Sequence, residues 1–422
     1  MPSDLENALS DSKVFMVGPD VELTFLPEPE PRPVWCPVIS ADDHAFESPT
    51  TFDRVPARYR DQAPRWVEVD GRPAWKIGDR HHFFTGMDGA ANRPISQWRS
   101  MKMRIEDYRP AVYDTAARVK DMDLNGVWAS LCFPSITWGF AGTTFARMPD
   151  RDAGFACVQA YNDWVVEDWC GSQPDRLIPC QVTFMADPEL AAKEIYRNAA
   201  RGVHAVTFSE NPSALGYPSI HTDHWEPFMR ACAETETVIN LHVGSSGTIS
   251  CPSPDSPDPV QVALFPLNAM QAVVDWIFSG IAQRYPDIRI ALSEGGISWV
   301  PMVIERLNRA ARQREAAPRS WKSDEHPVDV LRRNFWFTSI EDPSSFRQLD
   351  LIGEDKMMLE VDFPHTDSTW PDSQELFRSE LEFLPVETIR KICFENAAKL
   401  YHHPEPPAEM LKNSVLLGGV GV

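Results

Sequence analysis

Eight short apolar segments recur along the chain, and helix-length stretches separate most of them. The segments cover residues 35–41, 126–134, 177–184, 203–210, 238–244, 289–295, 335–342 and 356–361. Strands that alternate with helices are joined by right-handed crossovers and form a parallel sheet. Eight such strands, with polar residues at their carboxyl ends, predict a (β/α)8 TIM barrel of the α/β class. A doubly wound open sheet is the alternative that this pattern leaves open.

The predicted barrel occupies residues 34–403 and carries one long insertion. Residues 45–125, after the first strand, are polar and aromatic and show no strand–helix alternation, so we interpret them as a cap over the barrel mouth. Residues 1–33 are predicted to be an extended arm, because every second position from 27 to 33 is proline. The arm is either a solvated linker or a contact with a neighbouring subunit. Residues 404–422 are predicted to be a tail that docks on a surface or on another subunit.

Composition and charge narrow the choice of partners. The chain has 422 residues, of which 43% are hydrophobic and 24% charged, as in ordinary globular proteins. Its formal net charge of −21 argues against nucleic acids and anionic membrane surfaces as partners. The sequence predicts neither a signal peptide nor a transmembrane helix, and its eight scattered cysteines, without a CxxC pair, favour neither a zinc finger nor a disulfide framework. We therefore predict a cytoplasmic protein that acts on a small-molecule substrate.

Carboxylate and imidazole side chains lie at the carboxyl ends of several predicted strands. Asp42 and His44 follow the first strand, His242 lies in the fifth, and Asp362 follows the eighth. Taken singly, Asp42 is typical of a helix cap and His242 of a hydrogen-bonded core histidine. Together, four such groups at one end of a barrel predict a site for one divalent metal ion, with zinc, manganese and iron all compatible.

Further side chains near these strand ends are candidates for acid–base chemistry and for the substrate pocket. Glu294 follows the sixth strand and is predicted to act as a general acid or base, or else to pair with an arginine. His365 is predicted to support the metal ligands or to protonate a leaving group, or else to be a surface histidine. Aromatic residues near the strand ends predict a flat or apolar substrate; they are Phe133, Trp138, Phe140, Trp299 and Trp370.

The chain resembles the amidohydrolase superfamily, in the branch that includes aminocarboxymuconate-semialdehyde decarboxylase and γ-resorcylate decarboxylase. The resemblance runs from about residue 38 to residue 401 and is carried by VISADDHAFESP, GVWASLCFPS, AVTFSENP, LHVGSSG, ALSEGGISWVP, VDFPHTDSTWP and ENAAKLY. It implies that Asp42 and His44 match the acidic-x-His version of the first-strand metal motif. It also implies that His242 and Asp362 are the ligands from strands 5 and 8, with Asp362 also accepting a proton from metal-bound water. Glu294 departs from the family, because decarboxylases of this branch usually carry a histidine there.

Three functions are compatible with these residues. The first is a metal-dependent hydrolase that acts on a small cyclic or aromatic acid or amide through metal-activated water. The second is a metal-dependent non-oxidative decarboxylase of an aromatic or muconate-like acid, and the third is a non-catalytic ligand-binding barrel. Glu294 favours hydrolysis, since it adds a negative charge near an anionic substrate. The family resemblance and the arm also predict a homodimer or higher homo-oligomer.

Overall fold

The structure is a computed structural model that describes residues 21–100, 103–316 and 323–418. Its strands are β1 (Val38–His44), β2 (Arg65–Val69), β3 (Arg72–Ile77), β4 (Arg80–Phe83), β5 (Val127–Phe133), β6 (Leu177–Pro179), β7 (Gln181–Val182), β8 (Ala205–Ser209), β9 (Val238–His242), β10 (Ile290–Ser293), β11 (Phe335–Ser339) and β12 (Met357–Leu359). Its α-helices span Pro110–Tyr113, Thr115–Leu124, Thr143–Ala146, Arg151–Trp164, Pro188–Ala199, Glu226–Glu234, Asp258–Leu264, Leu267–Phe278, Ile281–Arg284, Val300–Arg312, Pro327–Asn334, Leu349–Ile352, Ser373–Leu381, Val386–Arg390, Asn396–Tyr401 and Ala408–Asn413.

The large sheet is parallel throughout and returns to its own starting point. Its order is β6-β5-β1-β12-β11-β10-β9-β8-β7. At one end of this order β6 pairs with β5, and at the other end β7 pairs with β8. These two strands are halves of one extended segment separated only by Cys180, whose N–H donates to the Cys132 carbonyl at 3.3 Å. The sheet is therefore a ring of eight strands with helices between them, which confirms the predicted TIM-barrel fold.

The first strand differs from its predicted position, and the difference matters for the site. It spans Val38–His44 instead of 35–41, and all seven of its residues are buried. Pairing with β5 continues through Asp43 and His44, opposite Cys132 and Phe133. The prediction was wrong here because buried polar side chains end an apolar sequence pattern while the backbone ladder continues.

The helix Pro188–Ala199 begins with side-chain capping and packs on the barrel strands. Asp187 accepts hydrogen bonds from the N–H groups of Glu189 and Leu190, and Pro188 occupies the first turn of Pro188–Ala199. The same helix buries Ala191 and Ile195 against the strands. The apolar face of each helix thus closes the core between sheet and helix layer, and the polar strand ends remain at one end of the barrel.

The insertion between β1 and β5 contains a small antiparallel sheet, β2-β3-β4, which the sequence reading did not predict. The β2–β3 turn consists of Asp70 and Gly71, both with positive φ (51° and 72°), the geometry for which an Asp-Gly pair is favoured. Trp75 of β3 packs against Trp138 and Phe52, so the small sheet is anchored to the main core. The N–H groups of Ala90 and Ala91 donate to the Pro364 carbonyl, which joins the insertion to the loop after β12.

The described parts of the arm and tail contact their own chain. The N–H of Leu26 donates to the Asn92 carbonyl at 2.9 Å, and Arg32 pairs with Asp372 at 2.6 Å. In the tail, the N–H of Val415 donates to the Val34 carbonyl and that of Leu416 to the Trp35 carbonyl. Residues 1–20 and 419–422, including the segment for which no signal peptide is predicted, lie outside the described residues.

One helical stretch, Asp258–Phe278, is long and apolar enough by composition to span a membrane, with 28% of its most apolar window buried. Buried helices of globular proteins meet the same criterion, so this stretch alone is a weak indication. The stretch consists of two helices, Asp258–Leu264 and Leu267–Phe278, and the second buries Val273 and Ile277 in the core.

Candidate active site

The predicted metal-binding residues converge at the carboxyl ends of the barrel strands. Asp42 and His44 belong to β1, His242 ends β9, and Asp362 lies three residues after β12. The Nε2 atoms of His44 and His242 are 3.3 Å apart. The Nε2 of His44 also lies 3.4 Å from Asp42 Oδ1 and 3.2 Å from Asp362 Oδ1, while His242 Nε2 lies 3.6 Å from Asp42 Oδ2. All four side chains are at most 1% exposed.

The tautomers of the two histidines are set by backbone carbonyls. His44 Nδ1 lies 3.0 Å from the Pro134 oxygen, and His242 Nδ1 lies 2.7 Å from the Val243 oxygen. A carbonyl only accepts, so each Nδ1 carries the proton and each Nε2 presents a lone pair. Two lone pairs that face each other at 3.3 Å have no proton to share. This arrangement is that of two imidazoles oriented for one cation, with the carbonyls fixing the ring orientation.

The carboxylates of the group fit a cation equally well. Among the described residues, neither oxygen of Asp42 nor of Asp362 has a hydrogen-bond partner, although both side chains are fully buried. Buried and unpartnered carboxylates are costly unless a cation binds them. Ligand atoms held about 2.0–2.2 Å from one ion lie about 2.8–3.6 Å from each other. The distances from His44 to His242, Asp42 and Asp362, and from His242 to Asp42, fall in that range. Asp42, His44 and His242 therefore fit a divalent metal ion, with Asp362 beside His44 as the fourth candidate ligand.

Burial and neighbouring charges set the protonation of the group. Burial, followed by the effect of His365, lowers the pKa of His44 to about 4, and burial also lowers the pKa of His242 well below its usual value. Both rings are therefore neutral at pH 7, the form that binds metals. Burial raises the pKa of the Asp42 carboxyl group. Burial would also raise the pKa of the Asp362 carboxyl group, but the His365 and His44 imidazoles outweigh burial and hold this pKa below its usual value.

Asp362 is held in place by an unusual backbone conformation. Its φ is +52°, a left-handed value that non-glycine residues rarely adopt, and its N–H donates to the Asp42 carbonyl at 2.8 Å. The next residue, Phe363, donates its N–H to Asp43 Oδ1 at 2.9 Å, and its carbonyl accepts from the His44 N–H at 2.8 Å. These contacts join β1 to the loop after β12 and bring three of the four candidate ligands together.

Glu294 also has a left-handed backbone, with φ +57°, and it directs its carboxyl group into the cavity. Its Oε2 lies 3.6 Å from His242 Nδ1, on the side of that ring away from the metal-binding group. Burial, followed by the charges of Asp362 and Asp367, raises the pKa of the Glu294 carboxyl well above its usual value. Its backbone N–H donates to Glu360 Oε2 at 3.0 Å. Among the described residues no arginine pairs with Glu294, so the alternative of a structural ion pair finds no support.

His365 lies between the metal-binding group and the cavity. Its Nδ1 is 3.2 Å from Asp362 Oδ1, and its ring lies against that of His44 with centroids 3.7 Å apart. Burial opposes protonation, but the Asp362 carboxylate outweighs it and raises the pKa of His365. His365 lines the cavity and is not a surface histidine.

The cavity above this group has a volume of about 750 Å³. Phe140 lines it, as predicted from its place in the loop after β5. The other four predicted wall residues are buried in the core: Phe133 packs against the rings of His44 and His242, Trp138 stacks on Phe145, Trp299 packs on Phe337, and Trp370 packs on Phe363. Aromatic side chains near strand ends fill the space under the insertion as readily as they line a pocket, which is why sequence alone does not separate the two.

The cavity lining is acidic. Its described carboxylates are Glu294, Glu341, Asp342, Asp367, Asp372 and Glu375. Arg99 also lines the cavity, but its guanidinium is 2.5 Å from Asp258. A substrate carboxylate therefore enters a field that is negative away from the metal-binding group.

Sequence reasoning missed several residues that support the site. Glu360, two residues before Asp362, is fully buried beneath it, and burial raises the pKa of its carboxyl to about 8. Arg118, also fully buried, donates to the His44 carbonyl at 3.0 Å. The position of Glu360 was a usable signal, because residues two apart on a strand share a face and Glu360 lies two positions before Asp362. Arg118 lies in the insertion, where no local pattern predicts its contact.

Comparisons with known proteins identify proteins to which this chain is similar. Gamma-resorcylate decarboxylase from Polaromonas sp. strain JS666 is 25% identical over 319 residues, which cover 68% of this chain and 88% of the relative. The corresponding enzyme from Rhizobium radiobacter is 23% identical over 318 residues, with the same coverage.

Solved structures share the fold. An amidohydrolase from Mycobacterium avium subsp. paratuberculosis K-10 is similar with a TM-score of 0.69 and 25% identity, over 87% of this chain and 99% of that one. A 5-carboxyvanillate decarboxylase from Novosphingobium aromaticivorans, solved with manganese, is similar in fold with a TM-score of 0.60 and 17% identity, over 87% and 96%. The sequence profile of the family described as Amidohydrolase matches residues 80–402, more than half of the chain. The chain therefore belongs to the amidohydrolase family.

Proposed function

We propose that this protein is a metal-dependent, non-oxidative decarboxylase of a small aromatic or related cyclic acid. Asp42, His44, His242 and Asp362 are its proposed metal ligands. The proposal rests on one observation: the Nε2 atoms of His44 and His242 lie 3.3 Å apart, and the carboxylates beside them have no hydrogen-bond partner in the described part of the chain. The decarboxylases of γ-resorcylate and 5-carboxyvanillate among its relatives support the choice of reaction.

The reaction replaces a carboxylate on a ring carbon with a proton. When bound, the divalent ion supplies a positive charge that holds the carboxylate and a neighbouring oxygen of the substrate. The ring carbon takes a proton, the bond to the carboxylate carbon breaks, its electron pair restores the ring, and CO2 leaves. Glu294 lines the cavity and is the proposed proton donor. His365, beside Asp362, is proposed to orient the substrate and to exchange protons with solvent.

Hydrolysis is the second candidate, because one observation favours it. Besides Glu294, the cavity lining carries five carboxylates, of which Asp372 and Glu375 pair with Arg32, and its Arg99 is engaged by Asp258. The others, Glu341, Asp342 and Asp367, repel an anionic substrate outside the metal-binding group. A neutral amide or ester avoids this repulsion. In this reaction Asp362 would accept the proton of the attacking water and His365 would protonate the leaving group.

Metal analysis and a paired substrate panel test the proposal. Protein purified without chelator or polyhistidine tag should contain about one divalent ion per chain, and the Asp362→Asn, His242→Ala double variant should lose it. His204→Ala, which alters a histidine just before β8 at the opposite end of the barrel, is the matched control and should keep the metal.

The panel separates the two reactions. CO2 release from 2,6-dihydroxybenzoate, 5-carboxyvanillate or related acids supports decarboxylation, whereas turnover of ring amides or esters alone favours hydrolysis. A folded wild-type protein without metal would contradict both and leave a ligand-binding barrel.

The remaining assignments are also proposals. Manganese is preferred over zinc and iron, because two carboxylates with room for substrate oxygens suit a harder ion. Residues 45–125 are proposed to cap the cavity, with residues 34–403 as the barrel, and Met87, Trp98 and Arg99 from the insertion line that cavity. A homodimer or higher homo-oligomer in the cytoplasm, with no nucleic-acid or membrane partner, completes the proposal.

A further inference from the structure

We propose that Glu360 is a positioning residue for Glu294. Its side chain accepts the backbone N–H of Glu294 and so maintains the left-handed conformation from which the Glu294 carboxyl group reaches the cavity. The inference rests on the proposed role of Glu294 as the acid of the reaction, and it adds a residue that does not itself line the described cavity.

The conformation of Glu294 needs support from its surroundings. A φ of +57° is disfavoured for any residue with a Cβ atom and persists only where neighbouring contacts impose it. The turn that follows is fixed by the Trp299 indole N–H, which donates to the Gly295 carbonyl at 2.8 Å, and by the Ser298 N–H, which donates to Asp342 at 3.1 Å. The 3.0 Å bond to Glu360 acts on Glu294 itself.

Glu360 is placed for this purpose. Its side chain is fully buried, and among the described residues its Oε1 has no hydrogen-bond partner and its carboxyl group makes no ion pair. Its backbone N–H donates to the Ser339 carbonyl at 3.1 Å, which keeps it in line with the end of β11. A buried carboxyl group with few hydrogen bonds is a poor contributor to stability, so a role in the site accounts for Glu360 better.

The consequence of losing this bond follows from the backbone geometry. Without an acceptor for its N–H, Glu294 is free to relax toward an extended conformation, which turns its side chain to a different direction. The contact of its Oε2 with the His242 ring, at 3.6 Å, and its place in the cavity lining would then be lost. Glu360 thus acts on the reaction through Glu294.

Two substitutions of the same residue separate this role from a charge effect. Glu360→Gln keeps a side-chain oxygen that accepts the Glu294 N–H, whereas Glu360→Leu removes it while filling similar space. With the manganese-loaded protein and an acid from the panel, Glu360→Leu should lower kcat about 10²-fold, the cost of a misplaced proton donor. Glu360→Gln should stay within a few-fold of wild type, and both variants should keep their manganese.

A matched control and a non-kinetic measurement complete the test. Glu194→Leu also replaces a buried glutamate, on the helix Pro188–Ala199, and should leave kcat near that of wild type. Crystal structures should show Glu294 out of the left-handed region in Glu360→Leu and within it in Glu360→Gln. If Glu294 keeps its conformation in Glu360→Leu, or if both substitutions lower kcat equally, the inference is overturned. The crystallographic result stands even if the wild type proves to have no decarboxylase activity, which separates the two failures.

Discussion

Arg118 shows how one buried side chain supports the site from outside it. It is fully buried on the helix Thr115–Leu124, with Nε donating to the Ala111 carbonyl at 2.7 Å and Nη2 to the His44 carbonyl at 3.0 Å. Its guanidinium lies 4.4 Å from the centre of the Phe363 ring. Burial lowers the pKa of this guanidinium, although the nearby Asp43 carboxylate acts in the opposite direction. Arg118 therefore joins the insertion to both β1 and the loop after β12.

We expect Arg118→Met to lower the free energy of unfolding by about 2–4 kcal/mol. Methionine retains much of the aliphatic stem, but two buried carbonyls lose a charged donor, each such bond being worth about 1.5–3 kcal/mol. Urea unfolding at constant pH measures the effect. Arg54→Met is the control: Arg54 pairs with Asp168 and Glu167 near the surface, and its loss should cost no more than about 1 kcal/mol. Equal effects of the two substitutions would contradict the role given to Arg118.

At the residue scale, the sequence identified groups whose chemistry is visible in their type and order. Asp42, His44, His242 and Asp362 stand out because carboxylates and imidazoles are rare in apolar strands, and the barrel prediction brings strand ends together. Their roles stay predictions until metal is measured. Arg118 and Glu360 act through backbone carbonyls and N–H groups of distant segments. Such contacts depend on the folded path of the chain: alternation indicates that Glu360 shares a strand face with Asp362, but no sequence pattern indicates what either residue contacts.

At the scale of elements, Glu210 connects the end of β8 to the loop after β9. Its Oε1 accepts hydrogen bonds from the Gly244 N–H, the Ser246 hydroxyl and the Asn268 amide, while Oε2 has no partner among the described residues. Glu210 is 4% exposed, and burial raises the pKa of its carboxyl to about 7 from 4.5. This carboxyl group thus has a structural role.

The raised pKa of Glu210 predicts a pH-dependent effect on stability. Between pH 4.5 and 7 the unfolded chain releases this proton while the folded protein keeps it, so the free energy of unfolding falls as pH rises and the loss is complete above pH 7. Glu210→Gln keeps the accepting oxygen and removes the titration. Relative to wild type, this variant should gain about 2–3 kcal/mol of stability between pH 5 and pH 8.

Urea unfolding at the two pH values checks this prediction, with the exposed Glu189→Gln as the baseline. Other buried carboxyl groups titrate in the same range, so the comparison is between variant and wild type at each pH. A variant that follows the wild type across the whole range would show that Glu210 is already ionised in the folded protein at pH 5.

Strands were predicted correctly where hydrophobic periodicity is strong, and the prediction failed where polar residues or turns determine where a strand begins and ends. All eight barrel strands were located, yet β1 was placed three residues early because Asp42 and His44 are polar. The β2–β3 hairpin was missed although Asp70-Gly71 marks its turn, since an aromatic insertion of this length has no regular alternation to draw attention to it. The third barrel strand is interrupted at Cys180, so that its first half, β6, pairs with β5 and its second half, β7, pairs with β8. This interruption depends on barrel curvature and has no signal in the sequence.

At the scale of the whole molecule, the arm is connected to one wall of the cavity. The Thr24 N–H donates to Gln97 Oε1 at 2.9 Å, Glu28 pairs with Arg109 at 2.8 Å, and Arg93 lies 4.4 Å from the Phe25 ring centre. Gln97 directly precedes Trp98 and Arg99, which line the cavity. The described part of the arm therefore supports the cavity wall of its own chain.

We expect removal of residues 1–33 to loosen this wall and raise KM several-fold, while metal content stays at the wild-type value. The physical reason is that Arg93 and Gln97, now 3% and 7% exposed, would become hydrated and free the segment that carries Trp98 and Arg99. Steady-state kinetics, metal analysis and light scattering of the truncated and full-length proteins measure the three properties. Arg378→Ala, which removes only an exposed ion pair with Glu382, is the control and should leave KM unchanged within twofold. An unchanged KM after truncation would contradict the proposed support of the cavity wall by the arm.

A lower molecular mass per assembly would show instead that the arm holds subunits together, because contacts within one chain do not alter the number of chains.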